Sequence, residues 1–499
     1  MRRSALKLQN LFSGDSLQAK ISKGIVWSFL GTLISKGAML LALVLVARFI
    51  SVEEYGQVGV IRNAIGTFAA FSVMSFGVTA TKYLAIYKDS DSVRAEKILT
   101  FTRSFVLASS IVISIGIYFF ADLIALEMMN DETLAYYVQL SSAAIFFTAL
   151  NGYQNGLLAG LEKFKEISMI NIVNGLLTFP ILIIAAYYWK VYGVVIGLMT
   201  ISFLTWLMSD FYVRSAMKAS SLNYRFRGIS TELPTIVNFA LPSFLSGISV
   251  APAILMTNVI LAHQPNGYYQ LGIFNAAYFF SVITSTINGV IGQVLYPYAM
   301  QQFKKDNRKF EYFNIISPWI IGIVLNLPLI FFPDLMVIFF GSKYDTEDFK
   351  ISVMLVALFS IIIAHRAGIA RNFAAADLMW WSVFSNGFWG IALILLSYYF
   401  ASYGAIGITT SFLLAYILNS LIFLPLYLNK GLVNKMLLIS KPSLIAWFLL
   451  LLSPSVYYLS EYVFVKLVFL IIFFSIIFTS FLVLWEKTLH EIDINSKES

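Results

Sequence analysis

The chain has 499 residues and is 59% hydrophobic, 16% aromatic and only 12% charged, with a mean hydropathy of +0.80, where a soluble domain carries roughly 25% charge. Its formal charge of +8 does not point to nucleic acid, because polytopic membrane proteins gather Lys and Arg for topology. With no cysteine and three scattered histidines (His263, His365, His490), disulfides, thiolate chemistry and a histidine metal cluster are excluded, and neither a metal nor a cofactor is expected.

Apolar runs longer than about 18 residues, the length that crosses a bilayer core, recur from end to end. The roughly ten-residue alternating strands of a membrane barrel are not visible. The expected fold class is therefore an all-α polytopic membrane protein with about 14 transmembrane helices. The opening MRRSALKLQNLFSGDSLQAKISKG is basic, and the run after it is too long for a cleavable signal, so residues 1–23 read as a basic cytoplasmic arm before a retained first span. In chain order the spans are expected near 24–50, 57–86, 98–120, 135–160, 167–189, 191–213, 234–262, 271–299, 314–336, 351–375, 378–400, 404–428, 442–459 and 464–485.

The connectors set the orientation. All of their cations except Lys190, Lys343 and Lys350 fall on one side, which the positive-inside rule makes cytoplasmic, so both termini are expected there. The longest connector, 214–233, is basic and joins the sixth and seventh spans, where a duplicated six-span unit would be linked. A repeated string supports duplication: SVEEYGQVGV at 51–60 and NGYYQLGIFNA at 266–276 each follow the first span of a unit, and Tyr55 aligns with Tyr268. The expected organisation is the arm 1–23, a six-helix lobe 24–213, the linker 214–233, a second six-helix lobe 234–428, and two extra helices with a tail, 429–499. No connector has room for a soluble catalytic domain.

Eight cations remain inside the spans: Lys36, Arg48, Arg62, Lys82, Arg103, Arg366, Arg371 and Lys466. A cation at mid-membrane costs at least about 2.5 kcal/mol and is a functional candidate by default. Lys466, at the start of the last span, reads as snorkelling. Lys36 is the sharpest case, roughly 18 Å along a helix that starts near Gly24. The acids near span ends, Asp210, Asp334 and Asp377, are too few to neutralise the set, which points to a cavity for something anionic. Other readings stand beside this one. Lys82, Arg103 and Arg371 can snorkel, Arg48 can anchor the outer interface, and His365 can serve as a proton relay or as a packed aromatic. Asn151, Asn155, Asn171, Asn174, Asn258, Asn275 and Asn288 suit either a sugar or helix–helix hydrogen bonds. Pro180, Pro242, Pro252 and Pro328 are candidate kinks. No phosphate-binding Gly loop, HExxH or nucleophile elbow appears, so no catalytic residue is named.

The basic arm, the first span ending in ARFISVEEYGQVGV and the second running through FGVTATKYLA resemble the polysaccharide-transporter branch of the multidrug/oligosaccharidyl-lipid/polysaccharide exporter superfamily, and within it the O-antigen flippases of the Wzx type. The resemblance implies two six-helix lobes around a cationic cavity, with the last two helices outside that core. It implies a cargo of undecaprenyl-pyrophosphate-linked oligosaccharide, an O-antigen or related repeat unit, carried from the cytoplasmic to the outer leaflet of the inner membrane. Lys36, Arg62, Arg103 and Arg366 are the positions that would hold the anion, with Arg48, Lys82 and Arg371 as further candidates. Implied partners are the lipid-linked anionic oligosaccharide, membrane lipids, and the pathway's polymerase and ligase proteins. A lipid II flippase or a multidrug exporter of the same superfamily is the alternative, although the first span carries Lys36 and no acid to attract a cationic drug. A multispan glycosyltransferase or polymerase would need a large outward loop or a soluble domain, and neither is present.

Overall fold

A computed structural model describes residues 17–234, 240–241, 244–245, 250–302, 307–376 and 378–498. All of the long elements among them are helices: α1 (Leu17–Phe49), α2 (Val52–Val73), α3 (Phe76–Tyr87), α4 (Ser92–Phe119), α5 (Ala135–Gly160), α6 (Phe164–Ala219) and α7 (Val250–Ala262), then α8 (Gly267–Gln302), α9 (Arg308–Phe331), α10 (Glu347–Ala375), α11 (Met379–Phe400), α12 (Gly404–Asn429), α13 (Lys441–Leu459) and α14 (Val463–Glu498). Ten stretches are long and apolar enough to cross a membrane, or eleven if the bent pair α2–α3 counts as one crossing. Two of the ten are double-length: α6, with 56 residues, and the α11–α12 stretch, with 50. Every expected span except the second, matched by the bent pair α2–α3, and the seventh is thus matched by a helix of crossing length. The seventh is described mainly in its second half, α7, and Pro242 and Asp377 lie outside the described residues. The protein is an all-α polytopic membrane protein.

By its internal contacts the chain forms two compact units, one of residues 1–50 and 57–255, the other of residues 51–56 and 256–499. In the first, α1 lies along α6 at glycine-made close approaches. A Cβ on Gly175 would come within 2.7 Å of the Ser35 Cα, and one on Gly31 within 2.9 Å of the Ser168 Cα. Lipid tails are as apolar as leucine, so helices associate in a bilayer through such close packing and through hydrogen bonds rather than hydrophobic expulsion. Hydrogen bonds join α5 to α6, where Asn151 Nδ2 donates to Ser209 Oγ (2.7 Å) and Thr148 and Ser202 pair at 3.0 Å, and within α6 Thr205 Oγ1 donates to Asn174 Oδ1 (2.8 Å). Three of the candidate sugar-binding asparagines are therefore engaged by protein groups: Asn151 across to α6, Asn174 within α6, and Asn155, which donates to Asn151 Oδ1 at 3.2 Å within α5.

The second span, expected as one rod, is bent by 43° between α2 and α3. Met74 and Ser75 at the bend hold positive φ of 44° and 61°, which side-chain-bearing residues seldom adopt. A second break falls inside α6, where Lys190 has φ 51°, ψ −134°. Its ammonium donates to the Phe49 carbonyl at 2.7 Å and so caps the C-terminal end of α1.

In the second unit, α8, α10, α11 and α12 pack through Phe274, Phe359, Trp389, Phe412 and Tyr416. Residues 51–56 seat here too, with Tyr55 edge-on to Phe340 and Tyr344. Gly56 meets the Tyr268 carbonyl and Gly272 the Val52 carbonyl so closely that neither position has room for a Cβ. The two copies of the repeated string therefore touch each other. The final pair docks on α9: Trp319 stacks on Trp447 (4.8 Å), and the Tyr312 hydroxyl donates to the Phe481 carbonyl (2.8 Å).

Two details recur in both units. Gln57 Nε2 donates to Asp131 Oδ2 at 3.3 Å, and its aligned counterpart Gln270 donates to Asp348 Oδ2 at 3.3 Å. The turn at Lys190 has its parallel at Gly404, with φ 62°, ψ −139°.

A cationic candidate substrate site

In the first unit, Lys36 stands exposed on α1, Arg48 is exposed near the end of the same helix, and Arg62 is half-buried on α2. Lys82 is exposed on α3, with its ammonium 5.4 Å from the centre of the adjacent Tyr83 ring. Arg103 is exposed on α4, and its guanidinium carbon lies 4.2 Å from the centre of the Tyr224 ring. Tyr224 belongs to the basic connector after α6. Burial pushes its hydroxyl above the usual phenol range, with Arg103 working in the opposite direction, so it remains neutral at physiological pH.

In the second unit, Arg366 and Arg371 sit little more than a turn apart on α10 yet do different things. Arg366 lines a cavity of about 270 Å³ walled by α10, α12 and α13 and by the short helix Lys435–Ile439. Its walls are almost wholly apolar, including Ile362, Leu421, Leu424, Leu438 and Trp447. The guanidinium donates from Nη2 to Ser385 Oγ (3.2 Å) and lies 5.9 Å from the centre of the Tyr416 ring. Ser385 is itself held by Asn419, whose Oδ1 accepts from its hydroxyl (3.1 Å) and whose Nδ2 donates to its carbonyl (2.7 Å). His365 Nε2 and Ser420 Oγ, on residues lining the same cavity, are buried without a hydrogen-bond partner.

Arg371 is buried, and two of its donors go to Asn314: Nε to Oδ1 (2.7 Å) and Nη2 to the carbonyl (2.9 Å). Asn314 donates in turn to Asn372 Oδ1 (2.9 Å), and Asn372 to the Leu432 carbonyl (2.6 Å). This geometry brackets helices together. His365 is packed between Trp319 (4.7 Å) and Trp447 (5.3 Å), which matches the aromatic-packing reading better than a relay. Lys466 is buried with its ammonium 4.1 Å from the Tyr457 ring centre, an aromatic contact where snorkelling was expected.

The acids are engaged elsewhere. Asp210 Oδ2 accepts from Arg214 Nε (2.6 Å), and Asp334 pairs with Lys350 (2.9 Å). Among the described residues, no carboxylate pairs with Lys36, Arg62, Arg103 or Arg366. Sequence reading found these cations because a charge inside an apolar run is conspicuous. It missed Tyr224, on the connector after α6, and Ser385 and Tyr416, on other helices, because none of them carries a local signal.

Residues 21–303 match the model of a family described as "Polysaccharide biosynthesis protein". The chain belongs to that family. It is similar to the lipopolysaccharide biosynthesis protein WzxC of Escherichia coli strain K12, 24% identical over 82% of this chain and 80% of that protein. It is also similar to a putative O-antigen transporter of Shigella flexneri, 22% identical over 68% of this chain and 81% of that protein. Among solved structures it shares its fold with the lipid II flippase MurJ in an inward closed conformation, at a TM-score of 0.68 and 18% identity over 94% of this chain and 99% of that one. This polysaccharide biosynthesis protein is a multi-pass membrane transporter rather than a catalyst, in the branch that the ARFISVEEYGQVGV and FGVTATKYLA segments resemble.

Proposed function

We propose that the protein translocates a lipid-linked anionic oligosaccharide, carried on undecaprenyl pyrophosphate, from the cytoplasmic to the outer leaflet of the inner membrane by alternating access. One observation carries the reading: Lys36, Arg62, Arg103 and Arg366 have no carboxylate partner among the described residues, while Asp210 and Asp334 pair with other cations. A cation within a membrane span is costly without a counter-ion, and an anionic cargo offsets that cost when it binds. The cavity at Arg366 joins a guanidinium to apolar walls, which suits a cargo that is anionic at one point and hydrocarbon beyond it. Because the cell interior is negative, outward movement of an anion runs down the membrane potential, worth about 2.3 kcal/mol per charge per 100 mV. In this reading 24–213 and 234–428 are the two moving lobes and 429–499 is an accessory pair; the pathway's polymerase and ligase are candidate partners.

The test replaces Lys36 or Arg62 by alanine at unchanged expression and measures surface polysaccharide. Both variants are expected to lower it. Undiminished polysaccharide in both removes these residues from the cargo site. The likeness to MurJ over 94% of the chain favours lipid II as a second cargo. Transport assayed in proteoliposomes with lipid II and with a pyrophosphate-linked oligosaccharide side by side separates the two.

A further inference from the structure

The connector after α6 is laid along α4 by a series of attachments. The Asn223 N–H donates to Glu96 Oε1 (2.9 Å) and the Arg225 N–H to Thr100 Oγ1 (2.7 Å). Further on, Arg94 Nε donates to the buried Glu232 at 2.9 Å. Leu222 closes into the same apolar cluster as Leu99 and Met217. Tyr224 is thus tethered on both sides, and its ring cannot wander. Arg103 follows Thr100 by three residues, so both lie on one face of α4. The tether therefore delivers the ring to Arg103, at 4.2 Å.

We propose that Tyr224 is a positioning residue of the cargo site: it holds the Arg103 guanidinium over its ring and so limits the directions in which its N–H groups meet a phosphate anion. The inference rests on the reading of Arg103 as a cargo contact. Stacking occupies the face of a guanidinium and leaves its in-plane donors free, which an ammonium cannot imitate. An exposed arginine without this support samples many rotamers and loses that freedom when it grips a ligand. The neighbouring carboxylate does not compete, because Asp210 is taken by Arg214. The connector thereby gains a role beyond joining two spans, as the element that pre-sets one finger of the site at the cytoplasmic end of α4.

The experiment measures binding of inorganic pyrophosphate to the full chain in nanodiscs, by calorimetry. Tyr224→Phe keeps the ring and is expected to bind within about two-fold of the parent, whereas Tyr224→Leu is expected to weaken binding about five-fold. In an Arg103→Ala background, where binding is already weaker, Tyr224→Leu is expected to add nothing, because the residue acts only through Arg103. Equal binding by Tyr224→Leu and the parent overturns the proposal, as does a five-fold loss that persists in the Arg103→Ala background. If Tyr224→Leu does not fold, Tyr224→Trp, with the stronger cation-binding ring, must bind at least as tightly as the parent, and weaker binding also overturns it. An unchanged affinity in Arg103→Ala, or no binding by the parent, defeats the cargo reading of Arg103. Weakened Arg103→Ala beside a silent Tyr224→Leu defeats only this inference.

Discussion

The two units solve the same turns with different residues. At the break between the fifth and sixth spans the first unit places Lys190 at φ 51°, ψ −134°, and at the matching turn the second unit places Gly404 at φ 62°, ψ −139°. Glycine takes that conformation freely, while a side chain there costs of order 1–3 kcal/mol. The lysine is offset in part by its bond to the Phe49 carbonyl, so the first unit turns strain into a cap. The cations diverge as well. In the first unit Arg103 meets a ring, whereas in the second Arg366 faces a cavity and Arg371 is locked onto Asn314. Sequence position alone does not sort a membrane arginine into ligand contact or helix bracket. What its donors already touch does.

That contrast can be broken experimentally. The largest effect is expected from Arg371→Ala, which strips a charged donor from the buried Asn314 and should cost about 3 kcal/mol of stability. Thermal unfolding in detergent reads it, and a loss no larger than that of Arg366→Ala would erase the distinction between the two arginines. Next comes Gly404→Ala, expected to cost about 2 kcal/mol because its backbone favours glycine. The new Cβ would also stand within 2.5 Å of Gln270 Oε1, which accepts the Ala405 N–H at 2.8 Å. Arg366→Ala should keep the melting temperature but weaken pyrophosphate binding about ten-fold, the loss of one charge-assisted contact. Smallest is Lys190→Gly, where relief of strain outweighs the lost cap and the melting temperature should rise by an amount worth less than about 1 kcal/mol. A clear fall would mean that the Phe49 bond matters more than the backbone geometry.

Most of the helix plan was legible in the sequence, since bilayer thickness imposes a minimum run and the runs are bounded by Lys, Arg, Gly and Asp. The bend at Met74–Ser75 was not, because neither residue is proline or glycine and the break depends on tertiary contacts such as the Thr81 hydroxyl bond to the Gly156 carbonyl (2.7 Å). Candidate cations could be named from sequence for the reason given above. The fate of Arg371 could not, because Asn314 lies 57 residues away on another helix. The helices themselves run on through Pro180 and Pro328, and the breaks fall instead at positive φ at Met74, Ser75 and Lys190.

The Arg371–Asn314–Asn372–Leu432 chain has a mechanical corollary. It ties α9, α10 and the segment after α12 through buried hydrogen bonds that water does not reach to exchange. The Asn434 side chain adds a bond to Glu491 Oε2 on α14 (3.1 Å), and the Tyr312 hydroxyl holds the same helix from α9. Elements braced this way travel as one rigid block, since sliding any of them would strand polar groups in an apolar surrounding. Compliance in this half must then be sought elsewhere, and α12 enters it through Gly404, the residue whose backbone swings at least cost. The bracket acts as a splint, and the glycine at the other end of α12 as the joint.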